Sequence, residues 1–401
     1  MALTESLPPA DWMQRPGLDR LADALDADAG AARYVGGAVR DTLLGLDVAD
    51  IDVATIHPPQ EVVRRLEAAG IKAVPTGIAH GTITAVADGT VVEVTTLRRD
   101  VATDGRHAEV AFTDDWQADA ARRDFTMNAL YADMRGHRLH DYFDGIVDLR
   151  AGRVRFIGDP LRRIAEDHLR ILRFFRFLAR FGNTPDAEGL NACIDRANDL
   201  MALSRERIAE ELLKMLVARD AVDVMRLMVG HGIWTPVLPE IDAAAVERLA
   251  ALAAAEAAAG IASDPVRRLA ALLDARNAEG VTARLKLSNA HRKRICTALG
   301  HNDAWPPQET GYRLGVEGAI DRLLMTGDPA AAASLIGWTR PALPLSGGAL
   351  VARGLARGPD VAKALRMVED RWIAEGFPDA ARTSTIADDV VVQALRATSI
   401  A

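Results

Sequence analysis

The chain has 401 residues, enough for two to four domains and a sizeable buried core. Hydrophobic residues make up 49% and the formal net charge is −8, the balance of a globular protein and neither of a disordered chain nor of a uniformly basic one. No apolar run reaches membrane-spanning length, no basic segment followed by an apolar core opens the sequence, and Cys193 and Cys296 stand far apart without partner motifs. A membrane span, a secretory signal, a disulfide framework and a zinc site are therefore not expected, and the cytoplasm is the expected compartment.

Residues 1–30 read as a lead-in, with Pro16 opening a short helix to about Ala29. Residues 31–150 then mix strands and helices, a small α+β sheet domain. A short apolar strand runs into Gly36-Gly37, a short helix carries Arg40 and Asp41, and a second strand opens with Asp50-Ile51-Asp52. Side chains two apart on a strand share a face, so Asp50 and Asp52 stand side by side while Ile51 and Val53 turn into a core. Two carboxylates this close repel each other and invite a hard divalent cation such as Mg²⁺. The glycines let backbone N–H groups approach an anion at a helix start, where the helix dipole favours negative charge. A lone D-x-D is usually a strand end or a turn. With the glycine pair and Arg40-Asp41 ahead of it, it points to phosphoryl or nucleotidyl transfer.

Pro58-Pro59 opens a helix to about Ala69, with Val62, Val63 and Leu66 on its apolar side. Strands are expected at 71–75, 81–87 and 91–97, the last two joined by a turn at Asp88-Gly89. On the last strand Glu93, Thr95 and Leu97 share a face. Glu93 stands among apolar residues and reads as a buried carboxylate that needs a partner or a metal. It is either a third acid beside Asp50 and Asp52, binding metal or accepting a hydroxyl proton, or an edge-strand glutamate paired with Arg98 or Arg99. Arg98 to Trp116 reads as a long polar excursion without regular structure, centred on Asp104-Gly105-Arg106-His107. In Arg122-Arg123-Asp124-Phe125-Thr126-Met127-Asn128 the adjacent arginines point in different directions, so both reach a triphosphate only if the backbone wraps it. Asp124 can hold one of them and Asn128 can read a ribose hydroxyl or phosphate; the alternative is a solvated arginine pair.

From about Leu161 strand signals nearly vanish and the rest reads as helical. Residues 150–184 hold nine arginines against three acids, a basic patch sufficient for phosphate binding in an acidic chain. Asp159-Pro160 is expected to start one helix running to about Phe181. It pairs Glu166 with Arg170 at i,i+4 and Asp167 with Arg170 at i,i+3, and its packed face carries Ile164, Ile171, Phe175 and Leu178. Cytosine and adenine each present an amine donor beside a ring-nitrogen acceptor; uracil and guanine present the reverse. One carboxylate and one guanidinium therefore accept C and A and reject U and G. A salt-bridged surface is the plainer reading. Ala243 to Ala259 is expected as a surface helix, and His291-Arg292-Lys293-Arg294 as a solvated face or an RNA contact.

Four stretches, VGGAVRD, DIDVAT, RRDFTMNAL and EDHLRILRFFRF, follow one another over roughly residues 30–180. In kind and order they resemble the tRNA CCA-adding enzyme and bacterial poly(A) polymerase family, class II. The resemblance implies a catalytic nucleotidyltransferase head at 1–150, a helical neck with a base-selecting helix at 151–200, a helical body at 201–325 and a tRNA-binding helical tail at 326–401. It implies that CMP and AMP, from CTP and ATP, are joined to the 3′ end of tRNA. Asp50 and Asp52 would hold two Mg²⁺ with Glu93 beside them. Gly37, Arg40 and Arg123 would bind triphosphate. Asp167 and Arg170 would select C then A, with Arg173 and Arg176 as neighbouring nucleotide contacts. The stretch 98–116 matches a mobile loop that helps the family's pocket switch from C to A, and His168 stands where many members have proline. Poly(A) polymerase, a partial enzyme adding only CC or the final A, and a silent RNA-binding relative remain open. The C-terminal DDVVVQALRATSIA is not the basic tail of the first, Asp104-Gly105-Arg106 argues against CC-only addition, and Asp50 with Asp52 argues against the last.

Overall fold

The computed structural model describes residues 6–78, 81–104, 107–300 and 304–398, and the chain divides into two compact units, Met1–Ala243 and Ala244–Ala401. In the first unit helix α1 (Leu18–Ala24) leads into β1 (Ala32–Val35), α2 (Gly37–Leu43), β2 (Ile51–Thr55) and α3 (Pro59–Ala68). Strands β3 (Lys72–Gly77), β4 (Thr82–Ala87) and β5 (Thr90–Thr96) follow, then β6 (Arg98–Asp104) and β7 (His107–Phe112), α4 (Trp116–Ala121), β8 (Leu130–Asp133) and β9 (Leu139–Asp141). The main sheet has the order β3-β4-β5-β2-β1-β8-β9. Its strands pair antiparallel except β2 with β5, which run parallel with Asp52 opposite Glu93. Alternation sorts β5 cleanly: Val92 and Val94 are fully buried while Val91 and Glu93 face out. Val62 and Leu66 of α3 are buried as their spacing predicts.

Two expectations fail here. Residues 98–112 are not an unstructured excursion but an antiparallel hairpin, paired from Arg98 with Phe112 to Asp104 with His107. Gly105 and Arg106, the centre of the polar stretch, lie outside the described residues. The sequence signal was present, since Asp104-Gly105 is the same turn dipeptide as Asp88-Gly89. Glu93 is neither buried nor on an edge strand: it is exposed, on a strand in the interior of the sheet.

The unit continues through α5 (Gly145–Ala151), β10 (Arg153–Val154), α6 (Pro160–Glu166), α7 (Leu169–Phe181), β11 (Thr184–Pro185), α8 (Ala187–Asp195), α9 (Arg205–Leu216) and α10 (Ala221–Gly230). The single helix expected from Asp159 to Phe181 is broken. Asp167 is extended (φ −153°, ψ 107°), and its side chain accepts from the Leu169 N–H at 3.1 Å, capping the start of α7. Helix α7 packs an aromatic face on the head. Phe156 and Phe174 stack with centroids 5.6 Å apart, and Phe125 lies 4.8 Å from Phe156 and 5.3 Å from Phe177.

The second unit is helical, in α11 (Ala243–Ala259), α12 (Pro265–Ala271), α13 (Ala278–Arg284), α14 (Asn289–Ala298), α15 (Pro307–Leu314), α16 (Val316–Met325), α17 (Pro329–Ala333), α18 (Gly347–Val351), α19 (Pro359–Ala374) and α20 (Ala380–Thr398). The alanine-rich α11 is half core, not a surface helix: Val246, Leu249, Leu252 and Glu256 are buried. Glu256 and Asp321 enclose Arg267 at 2.8 Å each, and Asp321 also holds Arg294 at 2.6 Å. Arg294 therefore belongs to an internal ion network and not to a solvated basic face. Among the described residues no helix is long and apolar enough to cross a membrane.

Candidate active site

The open end of β2 meets two clefts that share Asp52. The first, about 370 Å³, is lined by Gly36, Gly37, Arg40, Arg122, Arg123, Asp124, Asn128, Asp167, Arg170, Arg173, Phe177 and Asp52 itself. The second, about 750 Å³, is lined by Asp50, Asp52, Glu93 and Arg15 among others. One cleft is rich in guanidinium groups and the other in carboxylates, and Asp52 stands where the two meet.

Burial first, then Glu93, raises the Asp52 carboxyl from the ordinary 3.8 to about 6, with Asp50 adding to the rise and Arg123 and Arg40 opposing it. A carboxylate so placed would be favoured in its ionised form by a cation beside it. Among the described residues no group of three or more His, Cys, Asp or Glu is arranged to hold a metal ion. Asp50 and Asp52 supply only a pair of hard oxygen donors. That fits a divalent cation which completes its shell with water and substrate phosphate, as Mg²⁺ does. Arg15, which nothing in the sequence singled out, donates to the Val48 carbonyl at 2.9 Å, two residues ahead of Asp50.

The glycine that matters most for the backbone is Gly36, not Gly37. Gly36 has φ 66° and ψ −119°, and a Cβ there would lie 3.5 Å from an Arg123 Nη1. Arg40 is buried and donates to Asp41 Oδ1 at 2.8 Å and to Asn128 Oδ1 at 2.6 Å, beneath the Phe181 ring at 4.4 Å. Burial lowers its pKa, against the pull of Asp41. Asn128 donates onward to Asp124 Oδ1 at 3.0 Å, and Asp124 Oδ2 takes Arg173 Nε at 2.7 Å. Burial would raise the Asp124 carboxyl, but Arg173 and Asn128 outweigh it and hold it low. Arg40, Asn128, Asp124 and Arg173 thus form one chain of charge-assisted bonds from the glycine turn to α7.

Arg170 donates to Glu166 at 2.6 Å and to the carbonyls of Arg163 and Arg122 at 2.9 and 3.1 Å. The expected Glu166–Arg170 pair is present; the Asp167–Arg170 pair is not. Asp167 is instead held by Arg207 of α9 at 2.9 Å, a partner with no sequence signal. Asp167 and Arg170 therefore line one pocket without neutralising each other. Arg176 is not brought into that pocket. It pairs with Glu211 at 2.5 Å and lines a neighbouring cleft of about 890 Å³ with Arg180, Phe181 and Lys214.

Residues 32–155 match the poly A polymerase head domain, and residues 184–245 match the "Probable RNA and SrmB- binding site of polymerase A". The sheet that carries Asp52 is thus a nucleotidyltransferase head. Over 378 residues the chain is 35% identical to CCA tRNA nucleotidyltransferase 1, mitochondrial, of Danio rerio, spanning 89% of this chain and 86% of that protein. Against the Homo sapiens protein of the same name it is 34% identical over 381 residues, spanning 90% and 87%. The crystal structure of the Bacillus stearothermophilus CCA-adding enzyme in complex with CTP superimposes with a TM-score of 0.75 at 27% identity, covering 96% of this chain and 99% of that one. The chain belongs to the CCA tRNA nucleotidyltransferase family and is an enzyme of that class.

Proposed function

We propose that the protein adds C, C and A, from CTP and ATP, to the 3′ end of tRNA, with Mg²⁺ bound by Asp50 and Asp52. The observation that carries this reading is the shared pocket: Asp167 and Arg170, able to read C and A, line the same 370 Å³ cleft as Gly37, Arg40, Arg123 and Asp52. A divalent cation at the two aspartates supplies Lewis acidity for the attacking hydroxyl and charge neutralisation for the leaving pyrophosphate. The protein's own groups do the rest. Arg40 and Arg123 take the triphosphate oxygens, and the Gly36 turn lets backbone approach them. Arg170 donates to the ring nitrogen of C or A while Asp167 accepts from the exocyclic amine. Uracil and guanine would leave both groups facing like partners, which is where strong rejection comes from. Exposed Glu93 pairs directly across from Asp52, which supports a role in accepting the hydroxyl proton or adding a metal oxygen. Arg173 acts through Asp124, and Arg176 lies beyond the base pocket.

The division into head, neck, body and tail at 150, 200 and 325 is retained as a functional scheme within the two compact units, with tRNA held by the helical parts. A reducing compartment, the cytoplasm in our reading, suits the two free cysteines. The test is incubation of the protein with Mg²⁺, CTP and ATP and with tRNA transcripts lacking CCA, ending in C or ending in CC. Growth of all three to CCA and then arrest is expected. Long A tails would replace the reading with poly(A) polymerase, extension of one acceptor alone with a partial enzyme, and tRNA binding without incorporation with a silent relative.

A further inference from the structure

The carboxylate-rich cleft holds a cation of its own. Among the described residues that line it, Arg15 stands alone against Asp50, Asp52 and Glu93. Arg15 belongs to the lead-in ahead of β1, which is pinned to the head at several points. Trp12 Nε1 donates to Thr42 Oγ1 of α2 at 2.8 Å. Gly17, at φ 85°, lies so close to Ala87 that a Cβ would meet its backbone at 2.6 Å. Arg20 pairs with Asp88, in the turn after β4, at 2.6 Å. Between these anchors Arg15 is half-buried and donates to the carbonyls of Val48 and Ala49 at 2.9 and 3.4 Å. Carbonyls fix the direction of a guanidinium without cancelling its charge, and two such bonds leave it further N–H groups to offer. Among the described residues no carboxylate pairs with Arg15. Val91, on the same face of β5 as Glu93, is 56% exposed and gives the cleft an apolar flank.

We propose that Arg15 binds a phosphodiester of the acceptor RNA's 3′ end and holds that end beside Asp50, Asp52 and Glu93. This rests on the nucleotidyl-transfer reading above. In-line displacement brings the attacking hydroxyl to phosphorus from the side away from the leaving pyrophosphate. With the triphosphate taken by the cleft of Gly37, Arg40 and Arg123, the acceptor is left the other cleft. Its backbone carries a negative charge at every linkage, so three carboxylates alone would repel it. A guanidinium already aimed by two carbonyls forks onto phosphate oxygens with little further loss of freedom. The flank at Val91 suits the apolar face of a sugar or base. Arg15 therefore acts on how the acceptor is held, and on neither the triphosphate nor the choice of base.

The experiment compares wild type, Arg15→Gln and Arg15→Lys, with Arg64→Gln on exposed α3 as a control for loss of one surface charge. Addition of A is followed on tRNA transcripts ending in CC, either unmodified or with a single uncharged methylphosphonate at one of the last three linkages. Initial rates are taken with acceptor and ATP varied separately, beside the unfolding midpoint. Arg15→Gln is expected to raise KM for the acceptor about 10-fold, the loss of one charge-assisted bond, and to leave KM for ATP unchanged. One uncharged linkage should cost wild type and Arg64→Gln a similar factor and cost Arg15→Gln nothing. Arg15→Lys, which keeps the charge but loses the fork, should respond to the same linkage by a smaller factor. A folded Arg15→Gln enzyme with wild-type acceptor KM overturns the proposal. So does one whose KM for acceptor and ATP rise alike, or one that responds to every linkage as wild type does, since Arg15 would then only brace the backbone ahead of Asp50. Should Arg15→Gln not fold, Arg15→Lys carries the test, and a response equal to wild type at every linkage is equally fatal. Wild-type protein that adds no nucleotide overturns the functional reading itself, a result distinct from active wild type with unaffected variants.

Discussion

Replacing Asp52 by asparagine separates what the residue does for catalysis from what it does to the fold. In the folded protein its carboxyl moves from the ordinary 3.8 to about 6, chiefly through burial and the facing Glu93. At 1.36 kcal/mol per tenfold change in proton affinity this is about 3 kcal/mol against the ionised form. Solvent at this half-buried position reduces the effect, so a gain of about 1–3 kcal/mol is expected for Asp52→Asn at pH 8 without metal. The folded state binds this proton more tightly than the unfolded chain. Wild-type stability should therefore fall as pH rises from 3.8 to about 6 and stay level above. The advantage of the variant should accordingly vanish near pH 4 and be complete by pH 7. Urea unfolding in chelator at several pH values measures it. Added Mg²⁺ should then stabilise the wild type, since only the folded state presents the pair, and leave the variant unmoved. The variant should be inactive in CCA addition at every pH. Equal stability of the two proteins at pH 8, or a gain that does not depend on pH, would refute burial and like-charge repulsion as the joint cause.

In the wild type, nucleotide addition at limiting Mg²⁺ should fall as pH drops through about 6, where Asp52 takes up its proton, and saturating Mg²⁺ should move that inflection lower, as a pH–rate profile would read. Arg170→Lys should lower kcat/KM for CTP and ATP by about 100-fold and narrow the gap to UTP and GTP, measured with four separate triphosphates, because an ammonium cannot hold Glu166, two carbonyls and a base together. Gly36→Ala should lose about 1–3 kcal/mol of stability from its φ of 66° and raise KM for triphosphate, visible in denaturation and initial-rate assays. Asp321→Asn in the second unit should lose about 3–5 kcal/mol by leaving Arg267 and Arg294 short of a buried partner, read as an earlier unfolding transition.

The local pattern made the head legible. Period-two alternation gave the strands, Pro59 the start of α3, and Asp50 and Asp52 their common face. What it missed depended on partners distant in sequence. Glu93 reads as buried in the sequence because its neighbours are apolar; only the sheet order shows that its side faces the open cleft. Helical periodicity carried straight through Asp167, because nothing local announces that Arg207 will hold its side chain and that its backbone will turn outward to cap α7. The polar run after Arg98 concealed a hairpin because its sequence carries no sustained apolar alternation, although the Asp104-Gly105 dipeptide was a readable turn signal. Arg176 shares the three-residue spacing of Arg170 and Arg173, but that spacing winds around a helix, and one further step carries it to another cleft.

The parallel pairing of β2 with β5 also governs when the site comes into being. Every other junction in the main sheet is antiparallel; this one closes only after α3, β3 and β4 have been laid down between its members, and the β1–β8 junction waits longer still. A contact of such separation in sequence is slow to form and vulnerable while it waits. During synthesis, Asp50 and Asp52 leave the ribosome well ahead of the strand that places Glu93 opposite them, and further still ahead of the arginines at 122, 123 and 170. A growing chain therefore carries its acidic pair before the arginines proposed to seat a triphosphate and read a base have been made. If these residues act as proposed, chemistry waits until the molecule is nearly half made, and a product truncated before Arg170 would be inert.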